Sequence, residues 1–136
     1  MRALEKFRTI LCLPVAAIFT VGMAEAGLVN LAGSEWGFAG GTGKAARFVQ
    51  FRSDGKVGGH SGCNRFMGTY TRKDDTLTIG PLATTRMACP PEVMEREQQF
   101  LAMLSSVRYA EGTHLKLILK DGEGSVLAEL VRRDPD

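Results

Sequence analysis

In "CPPEVMEREQQFLAMLSSV", Cys89 to Val107, the hydrophobic pattern changes from alternation to helical spacing. Val93, Phe100, Leu104 and Val107 recur at helical intervals, and Leu101 widens the stripe. Arg96, Glu97 and Gln98 read as the polar surface of the same helix. Pro90 and Pro91 suit its start, where a missing N–H removes no bond, and Glu92 and Glu95 sit near the positive end of the helix dipole. One amphipathic helix set among strands predicts an α+β protein.

The strands lie on both sides. Upstream, "SEWGF" (34–38) carries the only Trp, Trp36, ahead of a glycine-rich turn at Gly40 to Gly43. In "ARFVQF" Val49 and Phe51 share a face, and Ser53-Asp54-Gly55 signals a hairpin. A return strand runs from Lys56 to Gly62, then Phe66 to Thr71, a turn at Lys73-Asp74-Asp75, the alternating "TLTIG" and a further extended piece, "LATTRMA". Downstream, "HLKLILK" places Leu115, Leu117 and Leu119 on one face, and a glycine-bearing turn at Asp121 to Gly124 leads to a last strand, Val126 to Arg132. Short antiparallel strands with one helix predict a curled sheet or small barrel with the helix over an end or an open face. Trp36, Phe51 and Tyr70 are the expected core or near-core aromatics.

The ends set the compartment. Arg2, Lys6 and Arg8 precede an apolar run, Ile10 to Met23, and the small-residue site Ala24-Glu25-Ala26. This pattern predicts a secretory leader over 1–26 and a single domain over 27–136, with its core at about 34–132. The run is short of the roughly 20 apolar residues of a membrane helix, so no stable membrane insertion is expected after cleavage. Cys12 lies inside the leader, preceded by Ile10 and Leu11 rather than the small residues of a lipidation site. The net charge of +2 falls close to neutral once Arg2, Lys6 and Arg8 are removed with Glu5 and Glu25. The basic residues are scattered, which argues against nucleic acid and anionic membrane as partners.

Export leaves Cys63 and Cys89 as an even pair in an oxidising compartment, which favours a disulfide. Closing that loop stabilises a fold by roughly 3–4 kcal/mol on the chain-entropy account. Around Cys63, "GGHSGCNRFMGTY" (58–70) reads as a structural joint. Gly58, Gly59 and Gly62 mark a bend or close backbone approach, Asn64 suits a corner, and Gly68 and Tyr70 resume the strand.

Chemical alternatives have less in their favour. His60, Cys63, Cys89 and His114 could be drawn as a Cys2His2 metal site, but the close Cys-x2–4-Cys pair of structural zinc is missing. A cysteine nucleophile needs a reduced thiol beside a base, and neither cysteine belongs to a Cys-x-x-Cys pair. "GHSGC" is the nearest approach to a Gly-x-Ser-x-Gly elbow and lacks its strand-to-helix setting. Asp74-Asp75 and Glu95/Glu97 read as solvated carboxylates on a turn and a helix surface. Met67, Met87, Met94 and Met103 could serve copper, but they are not clustered, and core packing is the expected role. No catalytic residue, metal or cofactor is expected.

"GCNRFMGTY", followed by "TTRMACP" and a helix with Glu92 and the Phe100-Leu101 pair, resembles the META domain family, which includes the heat-inducible HslJ-like exported and envelope proteins. The resemblance runs from about Trp36 to about Leu130. It implies a small β-rich domain with one helix, a Cys63–Cys89 pair, and a part in stress tolerance, secretion or motility, with no catalytic residues to carry over. Many such relatives are lipoproteins or membrane-tethered, whereas this chain lacks a lipidation site. The expectation is a non-enzymatic periplasmic or secreted protein that supports the envelope through binding or structure, its partner an envelope protein. The alternative is a β-barrel holding a small apolar ligand in its mouth.

Overall fold

The computed structural model describes residues 28–134. The predicted leader lies outside them. Among the described residues eight strands, β1 (Ser34–Gly37), β2 (Phe48–Phe51), β3 (Lys56–His60), β4 (Arg65–Lys73), β5 (Thr76–Thr84), β6 (Tyr109–Gly112), β7 (Lys116–Lys120) and β8 (Val126–Arg132), accompany one helix, α1 (Pro91–Ser106). The strands pair antiparallel in sequence order, and β1 returns to β8 to close a barrel. This is the expected α+β small-barrel fold.

Alternation fills the interior. Val49 and Phe51 on β2, Val57 on β3, Phe66 on β4, Leu77 and Ile79 on β5, Leu117 and Leu119 on β7 and Leu130 on β8 all point inward and are buried. Trp36 is fully buried and donates its indole N–H to Ser34 Oγ at 2.6 Å, so its polar atom is satisfied inside the core. Burying these side chains, at roughly 1.5–3 kcal/mol for each large apolar one, is the main source of stability.

The barrel is unevenly closed. Most neighbouring strands share four or more paired positions, but β5 and β6 meet through Thr76↔Tyr109 alone. At this side α1 packs on β5 and sends Phe100 and Leu104 into the barrel core. Phe100 makes edge contacts with Phe66 and Phe38, at ring separations of 6.0 and 5.9 Å. The helix therefore supplies core where the hydrogen-bonded ladder is thinnest.

Several details differ from the sequence reading. β5 continues through Pro81 to Thr84, so "TLTIG" and "LATT" form one strand. Tyr109–Gly112 is a strand the sequence reading did not assign. Leu115 does not join Leu117 and Leu119: it lies in the turn before β7, where its N–H and that of Lys116 both donate to Thr113 Oγ1 at 3.2 Å, and it is exposed. Met67 and Met87 do not pack in the core but stand in solvent, 67% and 63% exposed. Among the described residues no helix is long and apolar enough to cross a membrane.

Candidate functional site

The β3–β4 connection turns sharply at Ser61 to Asn64. Gly62 makes this possible with a φ of +118°, a conformation side chains rarely adopt. The cystine Cys63–Cys89 joins this corner to the segment entering α1, with a Cα separation of 6.1 Å. That lies in the range such bonds prefer. The expected pairing is therefore present, and neither sulfur is a thiol.

The same corner holds the carboxylate of Glu97, from the first half of α1. It is only 4% exposed. Ser61 Oγ donates to its Oε1, the Asn64 backbone N–H donates to the same oxygen at 2.8 Å, and Asn64 Nδ2 donates to Oε2 at 2.9 Å. Burial alone pushes the Glu97 pKa up. The donations from the Ser61 and Asn64 side chains and from the backbone of Asn64 and Cys63 outweigh it, holding the group below the usual carboxylate range. The charge is held buried by donors rather than by a cation.

This overturns the placing of Glu97 on the polar surface of the helix, alone or paired with Glu95. The physical reason is that the Ser61 hydroxyl, the Asn64 backbone N–H and the Asn64 amide converge on one buried point, and a helical carboxylate accepts from all three. A sequence signal existed. Glu97 falls four residues after Val93 and three before Phe100, on the apolar stripe itself, and a charge on that stripe is informative because it must be paired when buried.

Asn64 is the hub. Its Nδ2 also donates to Met87 O at 3.3 Å, and its Oδ1 accepts from Thr85 Oγ1 at 3.0 Å and from Met87 N–H at 2.6 Å. Both donors and both acceptor positions of the amide are thus used. His60, expected as an ordinary exposed strand end, is half-buried, and its Nδ1 accepts the Gly62 N–H at 3.2 Å. His114 lies exposed before β7. The structure brings together Gly62, Cys63, Asn64 and Cys89, and adds Ser61, Thr85 and Glu97. No group of three or more His, Cys, Asp or Glu suited to a metal occurs among the described residues.

Gly68 and Tyr70 belong to a separate feature. At Gly68 an added Cβ would collide with the Pro81 carbonyl, and the β4–β5 register shifts between Gly68 and Tyr70. This bulge bends β4. Tyr70, half-buried, sets its ring edge-on to Phe51 at 5.0 Å and donates its hydroxyl to Arg52 O at 2.7 Å. Both residues shape the barrel rather than join the corner.

A concavity lies on the outside of the barrel. It has a volume of about 560 Å³ and opens over β2, β3 and β4, lined by Phe48, Arg52, Lys56, Gly58, Arg65 and Met67 among others. The barrel interior, by contrast, is occupied by Trp36, Phe51, Leu77, Leu117 and their neighbours. An apolar guest held inside the mouth would have to displace them.

Comparison with known proteins agrees with this architecture. The family model described as the META domain matches residues 28–134. A protein from Burkholderia xenovorans solved by NMR is 26% identical, covering 77% of this chain and 85% of that one, with a TM-score of 0.59. A second NMR structure is 22% identical over 74% of this chain and 90% of its own, with a TM-score of 0.55. A crystal structure of a duf4847 family protein from Bacteroides vulgatus has the same TM-score at 13% identity, over 78% and 96% of the two chains. The latter two are likenesses of fold alone. Nothing among the curated proteins matches the chain.

Proposed function

Because the chain belongs to the META domain family, we propose that it works in the cell envelope, after export, as a non-enzymatic domain that sustains envelope integrity or stress tolerance by binding a partner. The observation that carries this reading is the Cys63–Cys89 cystine, at a corner that also binds both oxygens of the Glu97 carboxylate. A disulfide of this kind persists in oxidising compartments. The residue types best suited to chemistry, two cysteines, a buried glutamate and an asparagine, have their reactive positions taken up in holding the corner. What remains available for a partner is the outer surface.

The test is genetic. In a deletion strain challenged with heat and detergent, the full chain is expected to restore tolerance, whereas a chain lacking residues 1–26, retained in the cytoplasm, is not. Full restoration by the retained chain would remove the envelope role. Thiol titration of exported protein, denatured without reductant, is expected to find about zero free thiols, since paired cysteines do not react.

A further inference from the structure

The concavity over β2–β4 follows from one missing side chain. Along these strands the residues facing out form three rows: Phe48, His60 and Arg65; Gln50, Gly58 and Met67; and Lys56 with Thr69, beside Arg52. The central position of the middle row is Gly58. Every neighbour carries a side chain and Gly58 does not, so the backbone of β3 is the floor of a notch walled by its neighbours. The Lys56 and His60 rows are about 13 Å apart at the usual rise of a strand.

The walls are of two kinds. Phe48 and Met67 supply apolar surface. The Phe48 ring is held in place from outside by Arg133, whose guanidinium lies 4.3 Å from the ring centroid. Met67 is a flexible, polarizable side chain left in solvent, a residue suited to closing over an irregular apolar guest. At the rims stand Arg52 and Lys56 on one side and Arg65 on the other, and among the described residues no acidic side chain lines the cavity. Asp54, on the hairpin turn, is 4.0 Å from Lys56, while Glu35, opposite Gln50 on β1, is engaged by Arg133 at 3.0 Å. Arg52 and Arg65 have no ion pair among the described residues. The volume of about 560 Å³ falls within the roughly 300–1,000 Å³ of small-molecule sites.

From this juxtaposition we infer that the outer face of β2–β4 binds a single-chain amphipathic anion, its hydrocarbon lying over Gly58 between Phe48 and Met67 and its acidic head at the Arg52–Lys56 rim. Charge complementarity selects the occupant. A neutral apolar guest leaves Arg52 and Arg65 without a counter-charge, and a bare anion leaves the Phe48 and Met67 walls wet. The inference rests on the proposed binding role and gives it a ligand class, but it stands or falls in solution on the folded protein, independently of export or of stress phenotype.

The experiment is an amide NMR titration of the exported protein with laurate, with dodecyl maltoside (the same chain on a neutral head), with acetate and with inorganic phosphate. Laurate is expected to shift the amides of Gly58, Gly59, Arg65 and Met67 saturably, and the other three probes to bind far more weakly there. The triple substitution Arg52→Gln, Lys56→Gln, Arg65→Gln, all at exposed positions, is expected to weaken laurate about tenfold, as three exposed charge contacts together would. Met67→Glu is expected to weaken it similarly. Unchanged spectral dispersion in both variants would show that the fold is intact. Equal binding of dodecyl maltoside, equal shifts from acetate or phosphate, or laurate shifts mapping to the barrel ends would each overturn the inference. So would binding to phosphatidylglycerol vesicles without binding of monomeric laurate, which would make the face a membrane contact instead.

Discussion

At the Ser61–Asn64 corner a buried carboxylate is met by donors from Ser61, Cys63 and Asn64, and an asparagine uses every hydrogen-bonding position it has. A few residues earlier, around Gly58, the outer face holds Arg52 and Arg65 without a counter-charge among the described residues and leaves Met67 in solvent. One region is saturated and the other is open. Polar groups that complete one another stabilise a fold, because an unmet buried donor costs about 1–3 kcal/mol. Cations left uncompensated on a concave surface do nothing for stability and are available to a ligand. The cysteines, the glutamate and the asparagine, whose types draw attention first, belong to the saturated region. The open one is made of ordinary surface residues around a glycine.

The contrast can be broken most directly at the cystine. Cys63→Ala with Cys89→Ala is expected to lower the unfolding free energy by about 3–4 kcal/mol, the chain-entropy value for such a loop, read from guanidinium titration. An unchanged midpoint would mean that the corner is not under tension to open and that the polar network alone holds it. Glu97→Ala comes next, at about 2–3 kcal/mol, since it strands Ser61 and Asn64 donors in a buried site. Glu97→Gln should cost less, because it keeps one acceptor oxygen for the Ser61 and Asn64 donors.

Acid should act through the same carboxylate. Its folded pKa is depressed, so the unfolded chain binds the proton more readily and stability rises with pH across the interval between the two values. The contribution is complete above the ordinary carboxylate range and is lost as pH falls through the lower folded value. The difference in stability between wild type and Glu97→Gln, followed by denaturation from pH 7 downward, is expected to shrink in that interval. A constant difference would assign the loss to shape rather than charge.

Smaller effects separate the two histidines. His60→Ala removes the acceptor of the Gly62 N–H and is expected to cost about 1 kcal/mol, whereas His114→Ala should stay within about 0.5 kcal/mol. The smallest effect sharpens the comparison from the other side: the triple glutamine substitution on the outer face is expected to leave the denaturation midpoint within the same margin of about 0.5 kcal/mol. A large loss there would show those cations to be structural after all.

Much of this was legible in the residues, for reasons that can be named. The helix from Pro91, the inward faces of β2 and β5, Leu117 and Leu119 of β7, and the cystine follow from periodicity, from proline at a helix start and from an even cysteine count. What was hidden depends on pairing across long separations. Closure by Trp36↔Arg132 and Gly37↔Val131 leaves no local signature, and a four-residue strand such as Tyr109–Gly112, with one ladder contact to β5, is too short for alternation to declare itself. Glu97 was misread because charge on a helix ordinarily means solvent. Its position on the apolar stripe carried the correct information, outweighed by its residue type. The notch at Gly58 could not be read at all, since glycine in a strand signals a bend as readily as a space.

The cystine also governs what happens to the chain once it is cut. Its two ends bracket the β4–β5 hairpin, whose exposed tip is Asp74-Asp75. A protease that severs the backbone at that tip produces two polypeptides, but Cys63 belongs to the first and Cys89 to the second, so the pieces stay covalently one. The barrel halves remain at high local concentration and in register, and a nick that would release a fragment from an unbridged chain becomes a lesion visible only after reduction.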